Sequence, residues 1–488
     1  MSQPVIIQGG MGVAVSGWPL ARAVSRSGQL GVVSGTALAV VLARRLQLGD
    51  PDGALRRALA HFPFPLMVEG ILADFFIPGG KDAAKPFKLT PMPAVRPNRK
   101  LVTLTVAANF VEVFLAKEGH DGLVGINYLE KIQLPTLASL FGSMLAGVDY
   151  VLMGAGIPRA IPGAIDLLAE GRSASLRLDV EGALPGEEWV STFDPVEFCG
   201  GTAPRLKRPQ FLGIVASATL AMTLAKKASG RVDGFIVEGP TAGGHNAPPR
   251  GPMQLTAAGE PLYGPRDVAE LEKIRALGLP FWLAGAYGRP GGLAAAQREG
   301  AAGIQVGTAF AFCEESSILP EVKRQALLLS RLGLTRVFTD PQASPTGFPF
   351  KVAQIDQTLS DEALYQGRRR TCDLGYLRHL YRRSDGTVGY RCPAEPLASF
   401  LRKSNAPEQS LGRKCVCNGL ASTVGIGQVR PGQRAELPLV TAGDDLEQIA
   451  QFIPPGQESY TAVDVLHRLL HGNDLAPTRP AAMELSLS

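Results

Sequence analysis

The sequence predicts an α/β protein: a closed (β/α)8 barrel, with insertions and an additional, mainly helical C-terminal region. Three observations predict it. Short apolar runs rich in β-branched residues recur eight times up to residue 306, as expected of parallel strands buried on both faces. A helical stretch with short connections follows nearly every run, the rhythm of parallel α/β architecture. No G-x-G-x-x-G follows the first run, because Gly9, Gly10 and Gly12 have the wrong spacing, which weakens a dinucleotide-binding open sheet. The open, doubly wound sheet is the alternative, since periodicity cannot report closure.

In order, the first strand is expected at 5–8, then a helix at 19–27, a strand at 31–34 and a helix at 37–46 with Thr36 as its N-cap. From 61 to about 100 the period is lost among proline, glycine and aromatic residues, and this excursion reads as a lid or an oligomer contact. Strands resume at 123–127 and 150–153, with helices at 137–146 and from 158. A second insertion covers 172–209. Strands at 211–215, 235–238, 281–284 and 303–306 complete the set, with helices at 218–227 (capped by Ser217), 268–277 and 293–299 between them. This places the barrel at 1–335. Residues 336–472 read as the mainly helical, basic, cysteine-containing region, opening on a loop-like stretch at 338–352. The tail 473–488 lacks periodicity and is expected to be disordered.

Composition narrows the function classes. Of 488 residues, 45% are hydrophobic and 19% charged, so a large core is available and global disorder is excluded. A net charge of +5, without interleaved basic and aromatic residues, gives no case for nucleic acid. No apolar run approaches the roughly 20 residues of a membrane span, and the N-terminus has no signal-peptide pattern. Six cysteines are too sparse for a disulfide scaffold and suit a reducing compartment. A cytoplasmic protein without membrane or nucleic-acid partners is expected.

The chain is organised around the stretch GFIVEGPTAGGHNA, 234–247. A buried strand ends on Glu238 and opens into a loop whose Gly243 and Gly244 allow close backbone approach, followed by His245. After the seventh and eighth strands come Gly285, Ala286, Tyr287 and Gly288, then Gly307 and Thr308. In barrels of this kind those two loops and a short helix N-terminus often hold a phosphate through backbone amides. Gln8, Asn127 and Gln305 stand at strand ends, where their amides suit a planar heterocycle with many donors and acceptors.

Taken together, IIQGGMG (6–12), GQLGVVSG (28–35), GINYL (125–129), YVLMGAG (150–156), EGPTAGGH and AGIQVGTAF (302–310) resemble the nitronate monooxygenase (2-nitropropane dioxygenase) family of FMN-containing TIM barrels. The resemblance covers residues 5 to about 335, outside the insertions. It implies FMN at the barrel mouth, with Gly9, Gly10 and Met11 along the isoalloxazine and Asn127 on its polar edge. Gly243 and Gly244 would flank the ribityl chain, while Gly285, Ala286, Gln305, Gly307 and Thr308 would hold the phosphate end. Ala286 and Tyr287 replace the family's more usual Gly-Ile. His245 matches the active-site histidine, and an ordinary pKa of about 6.5 would suit it to remove a proton.

Family membership does not fix the substrate. Oxidation of nitronates or nitroalkanes is the leading reading. An enoyl reductase of fatty-acid or polyunsaturated-fatty-acid synthesis, drawing electrons from NAD(P)H, is the alternative within the family. A flavin-binding partner subunit with little turnover of its own is the alternative of another class. Cys372, Cys392, Cys415 and Cys417 raise a zinc ion or an iron–sulfur cluster, although paired C-x-x-C knuckles are missing and buried free thiols are the simpler reading. The arginines at 368–370, 382–383, 402 and 413 read as a solvated or inter-subunit face; docking of an acidic acyl carrier protein and homo-oligomer formation both stay open.

Overall fold

The computed structural model describes residues 3–404, 406–432 and 434–472, so the expected disordered tail lies outside the described residues. Eight parallel strands close into a barrel: β1 (Ile6–Gln8), β2 (Leu30–Ser34), β3 (Val124–Leu129), β4 (Tyr150–Gly154), β5 (Gln210–Val215), β6 (Gly234–Glu238), β7 (Phe281–Ala284) and β8 (Gly303–Val306). Sequence neighbours pair in space, and β8 returns to β1 with Ile304 opposite Ile6. Closure settles the choice between barrel and open sheet. β1, β2, β4 and β7 are buried at every position, which is why their sequences run apolar without alternation. Ile7, Val32, Tyr150, Leu212, Ile236 and Trp282 fill the interior, and the Trp282 indole N–H donates to the Pro4 carbonyl at 2.8 Å. This is a packed barrel, not a pore.

The helices between strands largely follow expectation, with two differences. Ala37, at φ +58°, occupies the N-cap of Leu38–Gln47 with no side-chain cap, so Thr36 does not cap it. The helix Arg99–Lys117, unread in the sequence, is the longest among the described residues. Thirteen of its 19 residues are buried, because it lies under neighbouring helices and carries apolar side chains nearly all round; no polar face marks its period. Thr136–Leu145 crosses it where a Cβ on Gly142 would run into the Val106 carbonyl.

Neither excursion is wholly irregular. The first contains the helix Pro65–Phe75, packed on Leu38–Gln47. The second holds an antiparallel pair, Ala174–Arg177 with Val190–Phe193, and the short helix Pro195–Cys199. Among the described residues, neither supplies a wall to the barrel-mouth cavity, so the first is not a lid over it.

Beyond residue 335 the chain is not mainly helical. The stretch read as a loop is an antiparallel hairpin, Val337–Asp340 with Phe350–Ala353. A second hairpin, His379–Arg382 with Val388–Arg391, follows, and the remaining helices are short and separated by irregular chain. Prolines at 396, 407, 431 and 438 interrupt any longer helix. Side-chain pairs supply the order instead. Buried Glu436 takes Arg368 and Arg430, and Arg430 also reaches Asp373 at 2.8 Å. Arg382 pairs with Glu187 at 2.8 Å, and Arg413 donates to the Ser344 carbonyl at 2.7 Å. Arg368, Arg382 and Arg413 are thus committed within the chain, while Arg369, Arg383 and Arg402 stay exposed. Residues from both sides of position 335 share one apolar core.

Gly142→Ala tests the helix crossing by its sign. Helix propensity alone would stabilise by about 1 kcal/mol, whereas overpacking against Val106 costs typically about 1–3 kcal/mol. A lower denaturation midpoint is expected; a higher one would contradict the close crossing.

Candidate active site

The loops that leave the carboxyl ends of the strands surround one cavity of about 200 Å³. Its wall contains Gly9, Gly10, Met11, Asn127, Gly243, Gly244, His245, Gly285, Ala286, Gln305, Gly307 and Thr308, every cofactor and catalytic position the sequence nominated. Gln8 is absent from the wall. Its side chain is fully buried and saturated by the protein, donating to Ser16 Oγ at 3.0 Å and the Val32 carbonyl at 3.2 Å while accepting from Val32 N at 3.1 Å. It fastens β1 to β2.

Close approach explains several glycines. A Cβ on Gly10 would overlap the Asn127 side chain, and one on Gly285, at φ +94°, would come within 2.7 Å of Thr241 Oγ1. Ala286 holds φ +57° without being glycine, a strained backbone of the kind that persists where surrounding structure over-determines it. Gln305 Oε1 is buried without a hydrogen-bond partner, on the wall of a cavity able to provide one.

The segment 441–445 closes over these loops. Gly244 N donates to Thr441 Oγ1 and Gly443 N to Thr308 Oγ1, both at 2.9 Å, and Asp444 N reaches the Thr241 carbonyl at 3.0 Å. A Cβ on Gly243 would stand 2.7 Å from Gly443 N. Gly243 is therefore small for the sake of the covering chain. Lys351, buried in the 350–353 strand, ties the cover down through Asp444 at 2.6 Å.

His245 projects from the loop after β6. Its Nε2 lies 2.7 Å from Ser344 Oγ, which lies 2.8 Å from Thr346 Oγ1, and its ring meets Phe350 at 4.8 Å. Burial lowers its pKa to about 4. The imidazole is neutral at neutral pH and a weaker base than its ordinary value implied, a correction to the sequence reading. Two acids the sequence reading gave no role share the wall. Burial raises Glu238, the last residue of β6, to about 7. Asp445 is raised to about 6 by burial, against a hydrogen bond from the Thr308 hydroxyl. Its carboxylate lies 2.9 Å from where a Cβ on Gly288 would be, between the loops after β7 and β8. Thr308 thus donates to Asp445, not freely to a phosphate. Glu238 stood in the organising motif, but its burial had no signal; Thr441, Gly443 and Asp445 had none at all.

Cys372, Cys392, Cys415 and Cys417 converge around a small neighbouring cavity. Among the described residues, however, no three His, Cys, Asp or Glu side chains are placed to hold a metal ion, so the metal assignment is withdrawn. Cys415 Sγ is engaged by Asn418 Nδ2 at 3.5 Å, and Cys417 turns to the main cavity.

Residues 204–346, which carry β5 to β8, His245, Gln305 and Thr308, match the family model described as nitronate monooxygenase. Among curated proteins none matches the chain. Solved structures similar to it include FabK from Thermotoga maritima (16% identity, 96% of this chain and 92% of that chain, TM-score 0.48). Others are a nitroalkane oxidase from Streptomyces ansochromogenes (15%, 95% and 94%, 0.43) and the enoyl reductase domain of MlnA from the macrolactin biosynthesis cluster of Bacillus amyloliquefaciens (12%, 96% and 94%, 0.45). The matched segment ends within the first C-terminal hairpin, so the cover at 441–445 lies outside it. Among the described residues no helix is long and apolar enough to cross a membrane.

The state of His245 is directly measurable. In an NMR titration of histidine-labelled protein, assigned with His245→Gln, its ring resonances should stay neutral down to about pH 5. A midpoint at its ordinary value would contradict the burial described here.

Proposed function

We propose that this chain is an FMN-dependent oxidoreductase of the nitronate monooxygenase type. The observation that carries the reading is Gln305, whose orphaned Oε1 stands in a cavity walled by the glycine loops. A planar heterocycle bearing an N–H would satisfy that oxygen. Gly9, Gly10 and Met11 on the cavity wall would lie along its ring, and the loops 285–288 and 307–308 would take the phosphate end. Bound there, FMN would supply two-electron redox chemistry.

The chain's own groups then orient the substrate and move protons. His245, neutral and held by Ser344, offers a hydrogen bond to a nitro or carbonyl oxygen. Glu238, raised to about 7, is the stronger base on the wall and the better candidate to remove a proton from a neutral nitroalkane. Apolar Leu129, Ile132, Ile318, Leu377 and Leu420 surround the remaining space.

Two substrate classes each have an observation in their favour. The family match favours a nitronate or nitroalkane. The wall charge favours a neutral acceptor such as an enoyl thioester, because the described lining contains Glu238 and Asp445 but no Lys or Arg to meet an anion. Adding nitronates to the oxidised flavin, and enoyl thioesters to flavin first reduced anaerobically by NADH or NADPH, separates them. Reoxidation by the thioester alone selects the reductase; turnover of nitronate without a nicotinamide selects the oxidase. A flavin that nitronate does not reduce and enoyl thioester does not reoxidise returns the chain to a partner subunit.

Three outcomes test the cofactor reading. The purified protein should be yellow and release FMN, not FAD, on denaturation; a colourless protein that FMN cannot reconstitute would refute it. Gly307→Glu should abolish FMN retention while leaving the circular dichroism unchanged, and normal binding would place the phosphate elsewhere. Asp445 loses its proton near pH 6, so above that pH a carboxylate stands beside the expected phosphate. FMN affinity should therefore fall between about pH 5 and 7 in the native protein. Asp445→Asn should bind FMN more tightly at pH 8, and an unchanged affinity there would contradict the placement.

A further inference from the structure

We propose that Cys372 and Cys392 form a reversible, peroxide-responsive disulfide immediately behind the wall of the main cavity. The two thiols come from distant points in the C-terminal region and meet at one small apolar cavity, where Cys392 and Cys415 are buried and Cys372 is half-buried. The other two thiols are engaged differently. Cys415 faces the Thr371 carbonyl and Asn418, and Asn418 is itself anchored to Asp373 at 2.8 Å. Cys417 lies two residues further on, in the helix Val416–Thr423, and lines the main cavity. Cys372 and Cys392 are left facing one another.

Their environments divide the roles. A hydrogen bond from Cys392, helped by Arg378, lowers the Cys372 pKa, while the same contact and burial raise that of Cys392. The more accessible sulfur is thus the readier thiolate, and the buried one is placed to resolve it. The oxidant is hydrogen peroxide. The Cys372 thiolate attacks one peroxide oxygen; an S–O bond forms, the O–O bond breaks, and hydroxide leaves to take a proton. Cys392 sulfur, having given its proton to solvent, attacks Cys372 sulfur and expels hydroxide, which leaves as water. Two thiols and one peroxide give one disulfide and two waters, and a dithiol reverses the change.

The position gives the bond an outlet. Leu377, Val416 and Cys417 line both the thiol cavity and the main cavity, so drawing Cys372 and Cys392 together moves a shared wall.

The test treats the full chain with one to a few equivalents of hydrogen peroxide, alkylates it and maps the peptides by mass spectrometry. A Cys372–Cys392 cross-link two hydrogens lighter, reversed by dithiothreitol, is expected before half-buried Cys199 is modified. Cys392→Ser should instead leave Cys372 as a trappable sulfenic acid. Full alkylation of both cysteines after Cys199 has reacted would overturn the proposal. So would a cross-link from Cys372 to Cys415, or stoichiometric zinc held by these thiols in the isolated protein.

Discussion

The docking of residues 441–445 onto the loops after β6 and β8 is the contact on which the rest of the site depends. Two backbone amides donate to threonine hydroxyls across it, at Thr441 and Thr308. A barrel alone would leave Gly243, Gly288 and Thr308 open to solvent at the mouth. With the cover in place, Gly288 and Thr308 are buried in the pocket wall, and charge beside them is felt in a medium less screening than water.

That enclosure explains the titration of the site. Burial is the first cause of the shifts at Glu238, His245 and Asp445 alike, raising the acids and lowering the imidazole. All three shifts favour the neutral form. Near neutral pH the imidazole is neutral and Glu238 only part-ionised, while Asp445 has lost its proton, so the wall carries modest negative charge with no Lys or Arg among the described lining residues to offset it. The same enclosure requires the cover to be fastened, which buried Lys351, Asp444 and the Glu436 cluster accomplish.

Much of this was legible in the sequence, and the failures have physical causes. All eight strands could be placed because burial on both faces writes an unbroken apolar run ending in glycine or a polar residue. The helix Arg99–Lys117 escaped because burial all round erases the period that identifies a helix. Gln8 looked like Asn127 and Gln305, since a strand-end amide does not declare whether the protein has already satisfied it. The nominated cavity residues came together because their motifs sit at the same end of successive strands. Thr441, Gly443 and Asp445 could not be found, for they lie in a short polar stretch more than a hundred residues beyond the loops they cover.

Hydrogen–deuterium exchange with and without added FMN tests most directly the claim that the C-terminal segment completes the cofactor pocket. Protection should rise together in 285–288, 307–311 and 441–445, because the cofactor and the cover share one enclosure. Protection confined to the barrel loops, with 441–445 exchanging as before, would contradict it.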